Sequence, residues 1–97
     1  MMLVSILTME LRLQGCASLK EKRHLIRGMI QRTRQNFHVS IAEVGDTELW
    51  GNATIMACFC SNSTEHAMGV LMSVLNAFDA RPDLDVASYS TDVWRPS

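Results

Sequence analysis

Two kinds of apolar repeat, one typical of strands and one typical of helices, follow one another along this chain. Their order constrains the possible fold more than any other feature of the sequence. Short segments with alternating or continuous apolar character predict strands at residues 2–13, 37–44, 53–60 and 85–94. A helical repeat of apolar residues fills the two longer intervals, one from Ser18 to about Asn36 and one from Ser61 to Arg81. The sequence therefore predicts the order strand, helix, strand, strand, helix, strand.

Two right-handed strand–helix–strand crossovers in this order interleave into one four-stranded antiparallel sheet. This arrangement is the α+β, ferredoxin-like βαββαβ fold, with both helices on one face of the sheet. At 97 residues and 10.9 kDa the chain has material for one hydrophobic core. We therefore expect a single domain over residues 1–97.

Serine, acidic residues and proline mark the expected helix ends. Ser18 and Glu21 form a capping box at the start of the first helix. The run Ser61-Asn62-Ser63 is expected to cap the second helix, with Glu65 at the third position if Asn62 is the cap. Pro82 ends that helix, because proline has no amide hydrogen and restrains the residue before it.

The third predicted strand is apolar on both sides of the sheet. Ile55 and Phe59 lie on one side, and Met56 and Cys58 lie on the other. A sheet face open to water normally alternates apolar and polar residues. We therefore expect the face away from the helices to pack against another subunit, most simply in a two-fold dimer. The alternative is a short apolar strand that its neighbours shield. Trp50, Ile55 and Phe59 are the predicted partner-binding residues.

Charge is divided unevenly along a chain whose net charge is only −1. Residues 1–36 carry seven basic and two acidic side chains, whereas residues 37–97 carry two basic and eight acidic ones. On a helical wheel, the polar side of the first helix is a stripe without acids, because Glu21 points elsewhere. The stripe consists of Lys20, Arg23, His24, Arg27, Gln31 and Arg34.

Such a stripe predicts binding to the phosphates of RNA, since each cation that neutralises a phosphate releases a counterion. The lysine and arginines would bind phosphate, with His24 and Gln31 as polar support. The alternative is an ordinary solvated helix face. Lys22 lies nearer the apolar arc, where we expect it to snorkel toward water unless it is partly buried beside Glu43 or Glu10.

Trp50 falls in the hairpin loop that follows the second predicted strand. A tryptophan in this position either covers the end of the core or is exposed. If exposed, it stacks on a base or fills a pocket of a partner. The sequence alone leaves both roles open.

Other chemistry is sparse in this sequence. It contains no glycine-rich phosphate loop, catalytic triad or metal-spaced set of histidines and carboxylates, so we expect no enzyme, cofactor or metal. Cys58 and Cys60 are interpreted as small buried residues, with a thiolate metal pair completed by a histidine as the weaker alternative. Cys16 lies in a loop and has no base beside it. The apolar start lacks a basic leader region and no segment reaches about 18 apolar residues, so we expect a cytoplasmic protein without a membrane span.

Five motifs follow one another along the chain: Ser18-Leu19-Lys20-Glu21-Lys22-Arg23, Phe37-His38-Val39-Ser40-Ile41-Ala42-Glu43-Val44, Leu49-Trp50, Ala53-Thr54 and Ser61-Asn62. Their order and spacing, over about residues 3–90, resemble the YlxP-like family of small uncharacterised bacterial proteins. The resemblance implies a ferredoxin-like fold. It also implies a role close to RNA or the ribosome, because the family's gene often lies among transcription and translation factors. One departure is that Gly51 and Asn52 stand where the family has glutamine and arginine, which removes a cation beside Trp50.

These observations lead to two main hypotheses. The first is a non-enzymatic protein that binds RNA or the ribosome through the first helix. The second is a protein–protein interaction module that uses the apolar sheet face and the Trp50 loop, without nucleic acid. An enzyme or metal protein built on the cysteines is the least favoured.

Overall fold

The computed structural model describes residues 2–96 and shows the predicted order of elements. They are β1 (Leu3–Leu13), α1 (Leu19–Phe37), β2 (Ser40–Val44), β3 (Asn52–Ser61), α2 (Thr64–Asp79) and β4 (Leu84–Trp94). The strands form one antiparallel sheet in the order β2-β3-β1-β4. The ferredoxin-like α+β fold predicted from periodicity is thus confirmed.

Buried and more exposed residues alternate along β1, and the buried ones lie on the side of the sheet that the helices cover. Leu7 and Met9 of β1 are fully buried and share one cluster with Ile26 of α1 and Phe78 of α2. The β1 residues that alternate with the buried ones are more exposed. Because successive side chains of a strand point to opposite faces, the helices cover one face of the sheet and leave the other open.

Helix α1 begins as its capping signals predict but ends later than expected. Ser18 Oγ accepts a hydrogen bond from the Glu21 amide at 3.2 Å, and Glu21 Oε2 accepts one from the Ala17 amide at 2.6 Å. At the other end, His38 adopts a left-handed conformation with φ of 53°. This residue stops the helix and turns the chain. The predicted strand over residues 37–44 is therefore shorter and begins at Ser40.

The cap of helix α2 is Ser63 rather than Asn62. Ser63 Oγ accepts a hydrogen bond from the His66 amide at 3.2 Å, and the helix runs from Thr64 to Asp79. The helix ends before Pro82, as the restraint imposed by proline predicts. The next strand, β4, pairs with β1 along most of its length.

Lys22 is a charged residue inside the core. Its side chain is 0 % exposed, and its Nζ lies 2.7 Å from Glu43 Oε2 of β2. The same ammonium donates to the carbonyl oxygens of Thr47, at 3.2 Å, and of Leu49. Two carbonyl oxygens thus accept hydrogen bonds from the ammonium. Glu43 Oε2 is buried and has no hydrogen-bond partner among the described residues, so it contributes its charge to the pair. The expectation that Lys22 snorkels is wrong, and its burial beside Glu43 is confirmed.

Replacing Lys22 by methionine is expected to lower the free energy of unfolding by about 3–5 kcal/mol, because it leaves Glu43 as a buried charge without a partner. Lys20→Met, on the exposed side of the same helix, is the matched control and should change stability by less than about 0.5 kcal/mol. Urea unfolding followed by circular dichroism measures both. Equal stabilities of the two variants would contradict a structural role for the buried ion pair.

Candidate functional site

The outer side of α1 carries the polar stripe that its periodicity predicts. All members of the stripe are exposed, and the opposite side of the helix buries Ile26, Met29 and Thr33. We call this surface the basic face, and it comprises Lys20, Arg23, His24, Arg27, Gln31 and Arg34. By the helical rise of about 1.5 Å per residue, its cations extend over about 21 Å.

Few carboxylates approach the basic face. Within residues 2–96, its one ion pair joins Arg23 Nη2 to Glu48 Oε1 at 3.5 Å, with side chains 49 % and 71 % exposed. An exposed pair of this kind contributes only about 0–1 kcal/mol. Arg34 Nη2 donates to the Ile41 carbonyl oxygen at 2.9 Å, which orients the guanidinium against β2 without neutralising it. The face therefore keeps most of its positive charge.

A shallow groove extends the basic face toward α2. It has a volume of about 460 Å³ and is lined in part by His24, Arg27, Arg32 and Arg81. A Cβ at Gly28 would lie 3.6 Å from the Arg32 guanidinium, an ordinary van der Waals distance, so the groove does not require a glycine here. Arg32 and Arg81 are absent from the stripe predicted from sequence. Arg32 lies on the flank of the wheel, and Arg81 comes from the segment after α2, whose position only the fold reveals.

Asp83 fixes Arg81 at the edge of this groove. Arg81 Nε and Nη2 donate to the two carboxylate oxygens of Asp83 at 3.0 and 2.7 Å. These hydrogen bonds hold the pKa of Asp83 below its usual value, against the opposing effect of burial, and the charge of Arg32 acts in the same direction. The bidentate pair keeps the guanidinium in one orientation.

The loop between β2 and β3 presents Trp50 to solvent. Trp50 is 51 % exposed and its neighbour Leu49 is 48 % exposed, and neither belongs to the buried core. The loop lies beside the start of α1, because Lys22 binds the carbonyl oxygen of Leu49 and Arg23 pairs with Glu48. Trp50 is thus exposed and does not cover the end of the core. Trp50 is an exposed aromatic residue on a loop next to the basic face.

The face of the sheet away from the helices is open and partly apolar. The strand register places Val4 of β1 between Cys60 of β3 and Trp94 of β4, and it places Ile6 beside Cys58. Trp94 is 59 % exposed. We call this surface the apolar patch, and it comprises Val4, Ile6, Met56, Cys58, Cys60 and Trp94.

Ile55 and Phe59 do not lie on this open face, which corrects their assignment as partner-binding residues. Ile55 pairs with Met9 and is 0 % exposed. Phe59 packs edge-on against His66 of α2, with ring centroids 5.6 Å apart. The sequence shows that both sides of β3 are apolar, but the side that meets the helices is decided by its register with β1.

The cysteines are free thiols. Burial raises the pKa of Cys58, and its neighbour Cys60 raises it further. Burial also raises the pKa of Cys16, as do the charges of Glu21 and Asp83. Both shifts favour the neutral thiol over the nucleophilic thiolate. Within residues 2–96, no three histidine, cysteine or acidic side chains come together in a group able to hold a metal ion.

Neither helix of the described chain has both the length and the apolar character needed to cross a membrane.

Comparison with known proteins gives a match of residues 4–91 to a family model described as "Protein of unknown function (DUF503)". The chain is 31 % identical over 68 residues to "Uncharacterized protein YlxP" of Bacillus subtilis (strain 168), covering 70 % of this chain and 74 % of that protein. Among solved structures, it is similar to the de novo designed protein Foldit4, with a TM-score of 0.51 and 10 % identity over 97 % of this chain and 99 % of that one. The structural likeness shows the fold alone.

The Arg81–Asp83 pair predicts a pH dependence of stability. Because the folded pKa of Asp83 is lowered, the pair stabilises the protein above the unfolded pKa of an aspartate, about 3.9, and this stabilisation is lost as the pH falls through the folded value. The difference in free energy of unfolding between wild type and Asp83→Asn should be constant from about pH 5 to 7 and narrow below about pH 4. If urea unfolding at about pH 2 shows an undiminished difference in free energy of unfolding between the two proteins, the proposed contribution of the ionised Asp83 is contradicted.

Proposed function

The chain belongs to the family described as "Protein of unknown function (DUF503)", as its YlxP-like motifs predict, and from this premise we propose that it is a non-enzymatic RNA-binding protein. Its basic face binds the phosphates of RNA, either free or in a ribonucleoprotein such as the ribosome. A partner of this kind places the protein in the cytoplasm.

The observation that carries this proposal is the positive charge that the basic face retains. Lys20 and Arg27 form no ion pair within the described residues, and the pair between Arg23 and Glu48 is long and exposed. A phosphate displaces such a carboxylate at small cost, because an exposed pair contributes only about 0–1 kcal/mol. Neutralising a row of phosphates then releases counterions, which favours binding at low salt.

The polar residues between the cations support the same function. His24 and Gln31 lie on the basic face beside the arginines, where their nitrogen atoms are available as hydrogen-bond donors to phosphate and sugar oxygens. Arginine adds geometry to charge, since its planar guanidinium donates two parallel hydrogen bonds to one phosphate. The surface therefore offers contacts to the backbone of RNA without requiring a particular sequence.

A second proposal concerns the apolar patch, whose occupant we propose is a second copy of this chain. Polar groups border the patch, with Asp92 beside Ile6 at the sheet edge and Glu10 accepting a hydrogen bond from Thr54 at 2.7 Å further along the sheet. An apolar centre with a polar rim is typical of a protein interface. A two-fold axis over this face brings identical patches together. It also leaves α1 of each copy on the outside, where both basic faces stay accessible.

Binding to a short unstructured RNA should show a linear fall of log K with log salt concentration. Each phosphate contact to a single strand adds about 0.7 to the slope, so Arg23→Ala and Arg27→Ala should each reduce it by about that amount. Fluorescence anisotropy of a labelled RNA measures the slope between about 50 and 200 mM salt.

The matched control for these variants is Arg95→Ala. It removes one positive charge from the segment after β4, where Arg95 donates to Thr64 of α2, and it should leave the salt slope unchanged. The absence of RNA binding by the wild type at low salt would reject the proposed function. A slope that falls equally in all three variants would reject the basic face as the binding surface.

Sedimentation equilibrium tests the proposed dimer. We expect a wild-type mass of twice 10.9 kDa and a monomer for Ile6→Glu, since a carboxylate in the centre of an apolar interface loses its hydration. Thr91→Glu is the control, because Thr91 pairs with Leu7 and lies on the other side of the sheet. A monomeric wild type, or an Ile6→Glu variant that still dimerises, would overturn the proposal.

A further inference from the structure

The loop that carries Trp50 is exposed, yet its backbone is anchored on several sides. The amide of Leu13 in β1 donates to the carbonyl oxygen of Gly51 at 2.9 Å. The buried ammonium of Lys22 binds two further carbonyl oxygens of the loop. Within the loop, the Glu48 amide donates to Asp46 Oδ1 at 3.0 Å. A backbone held in this way fixes the direction in which the side chains leave the loop.

The loop and the basic face form one continuous surface. The carbonyl oxygen of Leu49, the residue before Trp50, is bound by Lys22 in the first turns of α1. The neighbouring Arg23 belongs to the basic face and reaches the loop through Glu48. The loop that carries the exposed indole therefore lies beside the first turns of α1, which carry the first cations of the row. Nucleic acid presents the same two kinds of group next to each other, phosphates along the backbone and flat aromatic bases attached to it.

We propose that Trp50 is a stacking platform for an unpaired base and that, together with the basic face, it makes this surface selective for single-stranded over duplex RNA. This inference rests on the proposed function, because it assumes that the basic face binds RNA phosphates. The indole stacks on bases of any type, since every base has a π-face. The cations next to it hold the adjacent backbone.

Duplex RNA can use only the basic face of this surface. Its bases are stacked inside the helix, so their faces are not available to Trp50. The major groove of A-form RNA is deep and narrow, which keeps α1 from entering it to reach base edges. A duplex thus gains the phosphate contacts of the basic face alone, whereas a single strand gains both the phosphate contacts and the stacking interaction.

The charge of the neighbouring basic face also favours nucleic acid over a protein as the partner of this loop. The basic face lacks acidic residues, so a protein partner would need its own row of carboxylates beside a pocket for the indole. A substitution of Leu49 distinguishes a protein partner from nucleic acid, because Leu49 is exposed to nearly the same degree as Trp50, 48 % against 51 %. A protein pocket would use both apolar side chains, whereas base stacking uses only the aromatic one.

The test uses oligouridylate, which does not fold on itself, and a duplex RNA of the same length. Trp94→Phe leaves Trp50 as the sole tryptophan of the chain, so its fluorescence reports on this loop alone. We expect oligouridylate to quench this fluorescence and the duplex to leave it unchanged. In this background, Trp50→Ala should weaken binding of oligouridylate by roughly 5- to 100-fold and leave binding of the duplex unaltered, with the affinities of all variants measured by fluorescence anisotropy of the labelled RNAs. Trp50→Phe should keep most of the affinity, and Leu49→Ala should have a much smaller effect than Trp50→Ala.

The outcomes separate this inference from the proposed function. If neither RNA binds at low salt, the proposed function fails and the inference fails with it. If both RNAs bind equally and Trp50→Ala changes neither affinity, the basic face binds RNA and the stacking platform is rejected. If Leu49→Ala weakens oligouridylate binding as much as Trp50→Ala does, the loop acts as an apolar contact and stacking is likewise rejected. Circular dichroism of each variant verifies that the fold is intact.

Discussion

The buried ammonium of Lys22 is the interaction on which the arrangement of the candidate surface depends. Removing an ammonium from water costs several kcal/mol, which is offset only when its partners surround it closely. Here the partners are the carboxylate of Glu43 in β2 and two carbonyl oxygens of the following loop. One side chain of α1 thereby fixes a helix, an edge strand and a loop relative to one another. The positions of the basic face and of Trp50 follow, because Lys22 joins the segments that carry them.

The same constraint explains why the basic face stays charged in a protein of net charge −1. Consecutive residues of a helix lie about 100° apart around its axis. Because Lys22 and Ile26 face the core, the residues that follow them, Arg23 and Arg27, face away from it. Several carboxylates of the chain are engaged elsewhere. Glu43 is paired with Lys22, Asp83 with Arg81, and Glu10 accepts a hydrogen bond from Thr54 on the open face. Within residues 2–96, Glu48 is the one acid that pairs with the basic face, and Glu43, which also contacts α1, is held by the buried Lys22.

The parts of the structure that depend on local periodicity could be predicted from the sequence, and the parts that depend on register and packing could not. Apolar repeats are sufficient for the order of elements and for the exposed side of α1. They do not reveal the left-handed conformation of His38, which ends α1 at Phe37 and delays the start of β2 to Ser40. They also do not determine which side of β3 faces the helices, because only the pairing of β3 with β1 puts Ile55 in the core and Met56 on the open face. The groove lined by Arg32 and Arg81 combines two distant segments, so no local pattern contains it.

The residues that follow Trp50 show how far surface chemistry varies independently of the fold. The motifs of the YlxP-like family predict glutamine and arginine here, whereas this chain has Gly51 and Asn52. Packing does not require the glycine, since no atom lies within 4 Å of the point where its Cβ would be. A larger side chain therefore fits at position 51 without displacing a neighbour, and the difference alters the surface rather than the backbone. No cation follows Trp50 in the loop itself, and the cation of the basic face that contacts the loop is Arg23, through its pair with Glu48. In the proposed complex with RNA, affinity at this end of the surface then depends more on the aromatic ring and less on charge than it would with an arginine at position 52.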